Sequence, residues 1–218
     1  MRRALAGLLL IPGLVVSPAA AHHTGVYAPK DNAITTNFKQ LKASVEARKF
    51  DIARRLFEEG PLRAEMLARA GTLPSGLESR TRAALQAGDG AEVERGLMVF
   101  FAALGRDLAL EADRQLAAGA VPAKTGARFL EAIWRYYNLI DFAVGRRDAR
   151  ASVAMRLAYD EAETLVRPGA APAAVSAARV RASFQRIAEI LGELVQAATA
   201  SPARCAPRAC TRSRDAPA

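Results

Sequence analysis

Apolar side chains recur every three or four residues through nearly all of the chain between Asp31 and Ala200. This spacing places them along one face of an α-helix, because a helix completes a turn in about 3.6 residues. No segment alternates apolar and polar residues for more than four positions, as a half-buried strand would. The pattern therefore predicts an all-α protein.

Capping residues and glycine or proline breaks divide this pattern into separate predicted helices. The first begins between Asn32 and Thr36, and short helices follow as far as Ala70. The next two begin near Ser75 and Asp89, where a glutamate three positions later completes the pattern of a capping box. The longest predicted helices cover residues 89–116, 123–144, 149–166 and 175–198.

Three short polar junctions, at residues 47–51, 87–90 and 145–148, each contain an aspartate that is expected to cap the following helix. Helices joined by so few residues must pack side by side in opposite directions. The junctions do not recur at a constant interval, which argues against a regular solenoid. The sequence therefore predicts an antiparallel helical bundle built from helical hairpins, with four main helices and smaller ones packed on it.

The first residues have the features of a secretory signal peptide: a positive start at Arg2 and Arg3, an apolar run over residues 4–16, and small residues ending at Ala21. The run is too short to cross a bilayer, which takes about 20 residues. We therefore expect a periplasmic or secreted protein with no stable membrane anchor after cleavage. The predicted organisation is a cleaved signal peptide (1–21), an extended lead-in (22–31), a helical bundle domain (32–200) and a disordered tail rich in Pro, Ala and Arg (201–218).

The formal net charge of +9 does not predict a nucleic-acid partner. Two arginines belong to the leader, and the tail holds four arginines against one aspartate. Within the bundle the arginines alternate with acidic residues, as on solvated helix faces, and no basic stripe or zinc knuckle accompanies them. With 51% hydrophobic and 24% charged residues, the composition is that of a globular protein rather than a disordered one.

Cleavage after Ala21 would make His22 the amino terminus, followed at once by His23, and the chain has no other histidine. A free α-amino group and neighbouring imidazoles can chelate Cu(II), Ni(II) or Zn(II), since nitrogen ligands suit these ions. One hypothesis is therefore a periplasmic metal-handling protein that binds copper or another divalent ion through His22 and His23. The simpler interpretation is that both histidines belong to a flexible polar start of the mature chain.

The two cysteines, Cys205 and Cys210, lie in the tail. In an oxidising compartment their spacing favours a small local disulfide, which would not staple the helical core.

Three carboxylates share a helical stripe with apolar residues: Glu111, Asp141 and Glu161. The spacing predicts that each is at least half-buried. Buried carboxylates need partners, so nearby arginines favour an ion-pair network, while a cation or ligand site is the alternative. Trp134 and Tyr137 lie on the stripe of Asp141, where they either fill the core, with a ring donor meeting Asp141, or line an apolar pocket.

Recognisable catalytic motifs are missing from the sequence. No histidine follows Thr24, and neither a glycine-rich phosphate loop nor a nucleophile elbow occurs. We therefore expect a secreted, non-catalytic binding or interaction protein that acts through a groove or face between its hairpins. Its partner is an unidentified protein or small ligand. An enzyme that uses two of the three carboxylates as an acid-base pair is a third possibility, because a sequence does not reveal their separation.

Overall fold

The computed structural model describes residues 30–167 and 176–200, and within these ranges the chain forms eight α-helices and no strand. This confirms the predicted fold class. The predicted signal peptide, His22 and His23, and the tail with Cys205 and Cys210 lie outside the described residues. The helices are α1 (Ala33–Glu46), α2 (Phe50–Glu58), α3 (Pro61–Ala68), α4 (Leu77–Ala87), α5 (Gly90–Ala117), α6 (Pro122–Arg147), α7 (Ala149–Val166) and α8 (Ala177–Ala200).

The four longest helices form the bundle, in which α5 packs against α6 and α8, and α7 packs against the same two helices from the opposite corner. Helix α8 runs antiparallel to α5, because Arg181 pairs with Asp113 near one end and Leu191 contacts Gly105 further along. The core between the four helices includes several fully buried large side chains: Phe100, Phe101, Leu130, Ile133, Tyr137, Ile140 and Phe184.

The four shorter helices extend this core on one side of the bundle. Helix α4 packs on α5, while α1, α2 and α3 pack on one another, and α2 also contacts α4. The Phe38 ring of α1 meets Phe101 of α5 edge to face, with ring centroids 4.9 Å apart. All eight helices therefore share one hydrophobic core. Among the described helices, none combines the length and apolar character needed to cross a membrane.

Polar side chains cap three of the helices, two of them, at Asp89 and Asp148, as the sequence predicts. Asn32 accepts a hydrogen bond from the backbone N–H of Thr35 at 2.9 Å and caps α1. Asp89 and Asp148 cap α5 and α7 in the same way. The expected aspartate cap is wrong at the first junction, where Lys49 holds the cap position without a side-chain bond and Asp51 lies within α2.

The capping box predicted at Ser75 and Glu78 is also wrong. Gly76 holds the cap position of α4 in a left-handed conformation (φ 70°). The Glu78 carboxylate instead accepts a hydrogen bond from Arg63 Nε of α3 at 2.7 Å. A tertiary ion pair has therefore taken the side chain that local sequence assigned to the cap. The box at Asp89 is only half formed, since the Glu92 side chain pairs with Arg95.

Two glycines allow helices to approach more closely than any side chain would permit. A Cβ atom on Gly96 of α5 would lie 2.4 Å from Thr81 Oγ1 of α4. A Cβ on Gly126 of α6 would lie 2.5 Å from Val166 Cγ1 of α7. Both contacts are far shorter than van der Waals distance, so the packing of α4 on α5 and of α6 on α7 depends on these glycines.

Candidate functional site

An open groove runs between α1 and α6, with the first turns of α5 as its floor. It exists because α1 packs mainly on α2 and α3, whereas α6 packs mainly on α5 and α7. We call it the α1–α6 groove, and its volume is about 390 Å³. Its apolar lining comes from all three helices: Phe38 and Val45 of α1, Val93, Leu97 and Met98 of α5, and Leu139, Ile140, Phe142 and Ala143 of α6.

The floor and the rim of the groove differ in exposure. Leu97 and Met98 on the floor are buried, whereas Phe142 on the rim is 71% exposed, more than any other large hydrophobic side chain that the structure describes. The guanidinium of Arg146, one turn later on α6, lies 5.3 Å from the centroid of the Phe142 ring. The Arg146 guanidinium thus covers part of the Phe142 ring, which the rest of the fold leaves largely exposed.

Charged side chains at the rim neutralise one another. Arg146 donates two hydrogen bonds to the carboxylate of Glu94, at 2.7 and 2.9 Å. Lys42 lies 3.6 Å from the carboxylate of Glu46, one turn later on α1. Because each of these charges already has a partner, the groove favours a ligand whose buried part is apolar and uncharged.

Asp141, one of the predicted carboxylates, lies outside this groove in the interface between α6 and α7. It accepts a hydrogen bond from Ser152 Oγ at 3.1 Å and forms an ion pair with Arg156, both on α7. The hydrogen bond to Asp141 raises the pKa of the Arg156 guanidinium, because it favours the charged form. Asp141 is thus held between two partners on the next helix.

The structure brings Trp134 and Tyr137 together with Asp141. Tyr137 is fully buried, and its hydroxyl faces Asp141 and Ser152 without a well-formed hydrogen bond to either. Burial raises the pKa of Tyr137 well above its ordinary value, and the charge of Asp141 adds to the increase. Trp134 packs against Tyr159 of α7, with ring centroids 4.8 Å apart. The cluster packs the α6–α7 interface, and Ser152 and Tyr159 are members that sequence analysis missed.

The other two predicted carboxylates lie elsewhere. Glu111 on α5 forms an ion pair with Arg114 and accepts a hydrogen bond from Gln115 Nε2 at 2.7 Å. Glu161 is exposed, so its predicted burial is wrong, and the buried carboxylate on α7 is Glu163. The three predicted carboxylates therefore do not form one site.

Sequence analysis did not identify the residues that form the groove, although one of them could have indicated it. Phe142 lies off the apolar stripe that contains Ile140 and Val144, on the face of α6 that polar residues otherwise occupy. A large aromatic side chain on that face is unusual for a helix whose only contacts are with its own bundle.

In the part of the chain that the structure describes, no three His, Cys, Asp or Glu residues are placed to hold a metal ion. The metal hypothesis concerns His22 and His23, which lie outside those ranges. Comparisons of the chain with protein-family models, with curated proteins and with solved structures found no match.

Proposed function

We propose that this protein is an exported, non-catalytic binding protein that holds the apolar part of a ligand in the α1–α6 groove. The observation that carries the proposal is the exposed Phe142 ring beside an open floor of buried Leu97 and Met98. Contiguous exposed apolar surface costs free energy in water, so proteins keep it chiefly where something binds.

The size of the groove supports a small ligand or a few side chains of a partner. Its volume of about 390 Å³ falls within the range of ligand pockets, roughly 300 to 1,000 Å³. The lining residues on α1, Phe38 to Glu46, extend over about 12 Å at a helical rise of about 1.5 Å per residue. An amphipathic ligand would place its apolar part on the floor and its polar part at the rim beside Glu94 and Arg146.

A fluorescence titration with N-phenyl-1-naphthylamine, an uncharged apolar probe, tests this function. Ala91 lines the groove in the first turn of α5 and is exposed, so Ala91→Trp should fill one end of the groove without disturbing the core. Ala149, also exposed in the first turn of its helix, does not line the groove and provides the matched control, Ala149→Trp.

We expect Ala91→Trp to weaken probe binding at least tenfold, about 1.4 kcal/mol, while Ala149→Trp leaves it unchanged. Circular dichroism should show the same helix content for all three proteins. Equal probe affinity in the two variants, or no saturable binding to the unchanged protein, would refute the groove as a binding site.

Metal handling at the mature amino terminus is a second candidate, which the adjacency of His22 and His23 after the expected cleavage site favours. Calorimetric titration of a chain that begins at His22 should show one tightly bound Cu(II). A chain with methionine placed before His22 should lose that binding, because the α-amino group is no longer next to the imidazole. Undiminished binding by the blocked chain would remove the amino terminus from the site.

A further inference from the structure

The α1–α6 groove ends against aromatic side chains on one side. The ring of Phe101 on α5 lies between Phe38 of α1 and Tyr136 of α6, with ring centroids 4.9 and 5.7 Å from its own. Asn32, which caps α1, donates a hydrogen bond from Nδ2 to the Tyr136 hydroxyl at 3.3 Å. Because these contacts join all three helices, the groove stops here, and we call this its aromatic end.

The opposite end of the groove is charged. There Arg146 of α6 pairs with Glu94 of α5, and Arg147 donates a hydrogen bond to the backbone oxygen of Ala91 at 3.3 Å. Glu46, the last residue of α1, also lines the groove at this end, which we call the charged end. The lining therefore passes from aromatic rings to ionised groups over the part of α1 that borders the groove, about 12 Å long.

The charges at the charged end do not balance. The Oε2 atom of Glu94 lies 2.7 Å from the guanidinium of Arg146 and 3.6 Å from that of Arg147, so one carboxylate serves two cations. The other pair there is Lys42 with Glu46. Three cations thus face two carboxylates, which leaves one positive charge without a counter-charge. The arginine side chains are 55% and 37% exposed, so a bound head group can reach both.

A single-chain amphiphile fits this division of the groove. A straight alkyl chain of about ten carbons spans about 12 Å, since each C–C bond advances it by about 1.3 Å. With its chain directed toward the aromatic end and its head at the charged end, such a molecule buries apolar groups and no charge. A negative head would balance the excess charge, whereas a positive head would add a fourth cation.

We propose that the α1–α6 groove binds a single-chain amphiphile with an anionic head, which lies beside Arg146 and Arg147 while the chain covers Leu97 and Met98. The proposal rests on the proposed function, because it specifies the class of ligand for the same groove. The N–H groups of a guanidinium match the oxygens of a carboxylate or a phosphate. The head chemistry is thus that of a fatty acid or of an alkyl phosphate.

Displacement of N-phenyl-1-naphthylamine by three decyl compounds tests the head group. Decanoate, decylammonium and decyl maltoside have the same chain, and near neutral pH their heads are negative, positive and uncharged. At low salt, and below the concentrations at which they form micelles, decanoate should bind about tenfold more tightly than decylammonium, with the maltoside between them. This preference should decrease at about 0.5 M salt, because salt screens exposed charges.

Two arginine variants locate the preference. Arg147→Gln leaves two cations and two carboxylates at the charged end, so the ratio of decanoate affinity to decylammonium affinity should approach one. Arg186→Gln removes the same charge elsewhere and is the matched control. Arg186 pairs with Glu189 on α8, opposite the part of α5 that follows Gly105, which begins about 16 Å along the bundle from Glu94. This variant should keep the preference of the unchanged protein.

The outcomes separate the head group from the groove itself. If the naphthylamine binds and the three compounds displace it equally, or decylammonium binds most tightly, the anionic head is refuted and the proposed function stands. The anionic head is also refuted if Arg186→Gln loses the preference as Arg147→Gln does. If the naphthylamine shows no saturable binding, the proposed function itself fails. Decyl phosphate distinguishes the two head chemistries, because the anion that binds more tightly identifies the head.

Discussion

Replacing Gly96 by alanine tests the closest contact between α4 and α5. The added Cβ would lie 2.4 Å from Thr81 Oγ1, and Thr81 is buried with its hydroxyl bonded to the backbone oxygen of Leu77 at 2.9 Å. Either α4 must move away from α5, or Thr81 must rotate and lose that bond.

The net effect follows from opposing contributions. Overpacking of a core contact costs about 1 to 3 kcal/mol, and loss of the Thr81 hydrogen bond costs about 1 kcal/mol. The higher helix propensity of alanine offsets about 1 kcal/mol of this. We therefore expect Gly96→Ala to lower the free energy of unfolding by about 1 to 3 kcal/mol.

A second glycine within a helix separates the effect of the steric clash from the effect of helix propensity. Gly192 of α8 has only Arg106 Cδ near its ideal Cβ position, at 3.8 Å, which is ordinary contact. Gly192→Ala should therefore raise the free energy of unfolding by about 1 kcal/mol. Urea unfolding followed by circular dichroism measures both changes, and an unchanged slope with denaturant shows that stability alone has changed. The reasoning would be refuted if Gly96→Ala stabilised the protein as much as Gly192→Ala.

Three further predictions concern polar groups. Asn37→Ala should lower the free energy of unfolding in urea by about 2 to 4 kcal/mol, because it leaves the backbone oxygen of Leu56 and the N–H of Leu62 without their hydrogen-bond partner. The control Asn138→Ala, at an exposed position, should lower it by less than about 0.5 kcal/mol. Equal losses in the two variants would contradict this prediction. Tyr137→Phe should change the free energy of unfolding by less than about 0.5 kcal/mol, since the Tyr137 hydroxyl makes no well-formed hydrogen bond. Tyr159→Phe should cost about 1 kcal/mol, because it removes the hydrogen bond from the Tyr159 hydroxyl to the backbone oxygen of Leu130. Thermal unfolding that gave the reverse order would contradict these hydrogen-bond assignments. The hydrogen bond from Arg181 holds the pKa of Asp113 below its ordinary value, so the contribution of this pair to stability is fully present above the unfolded pKa, about 3.9, and is lost as pH falls through the lower folded pKa. The Arg181→Gln variant should therefore be less stable than the unchanged protein at pH 6, and this difference in the free energy of unfolding should become smaller as the pH is lowered to 3. A difference that is constant with pH would contradict the assignment.

The sequence by itself determined the fold class and most helix limits, because these depend on contacts within one or two turns. The apolar repeat identified all four bundle helices, and α7 runs from Ala149 to Val166 as predicted. Asn32, Asp89 and Asp148 act as caps because each bonds a backbone N–H only three residues away. Each of these bonds requires only the backbone conformation at the start of its own helix.

Only the tertiary structure decided where a side chain had more than one possible partner. Glu78 is close enough in sequence to cap α4, but Arg63 of another helix offers a charged hydrogen bond instead. On α7 the apolar arc is broad, and the positions of α6 and α8 select Ala162 and Glu163 for burial while Leu157 and Glu161 remain exposed. Periodicity indicates that a helix has a buried face, but its neighbours determine the direction of that face.

The groove is another feature that only the tertiary structure decided. Phe38, Leu97 and Leu139 each fit an apolar stripe, and no single stripe indicates that α1 and α6 are held apart. That gap results from the packing of α1 on α2 and α3, which are drawn together by the buried Asn37 and the close approach at Gly60. A helix pattern determines which residues seek burial, but the space left between helices depends on all their contacts at once, so the candidate binding surface was decided by tertiary packing alone.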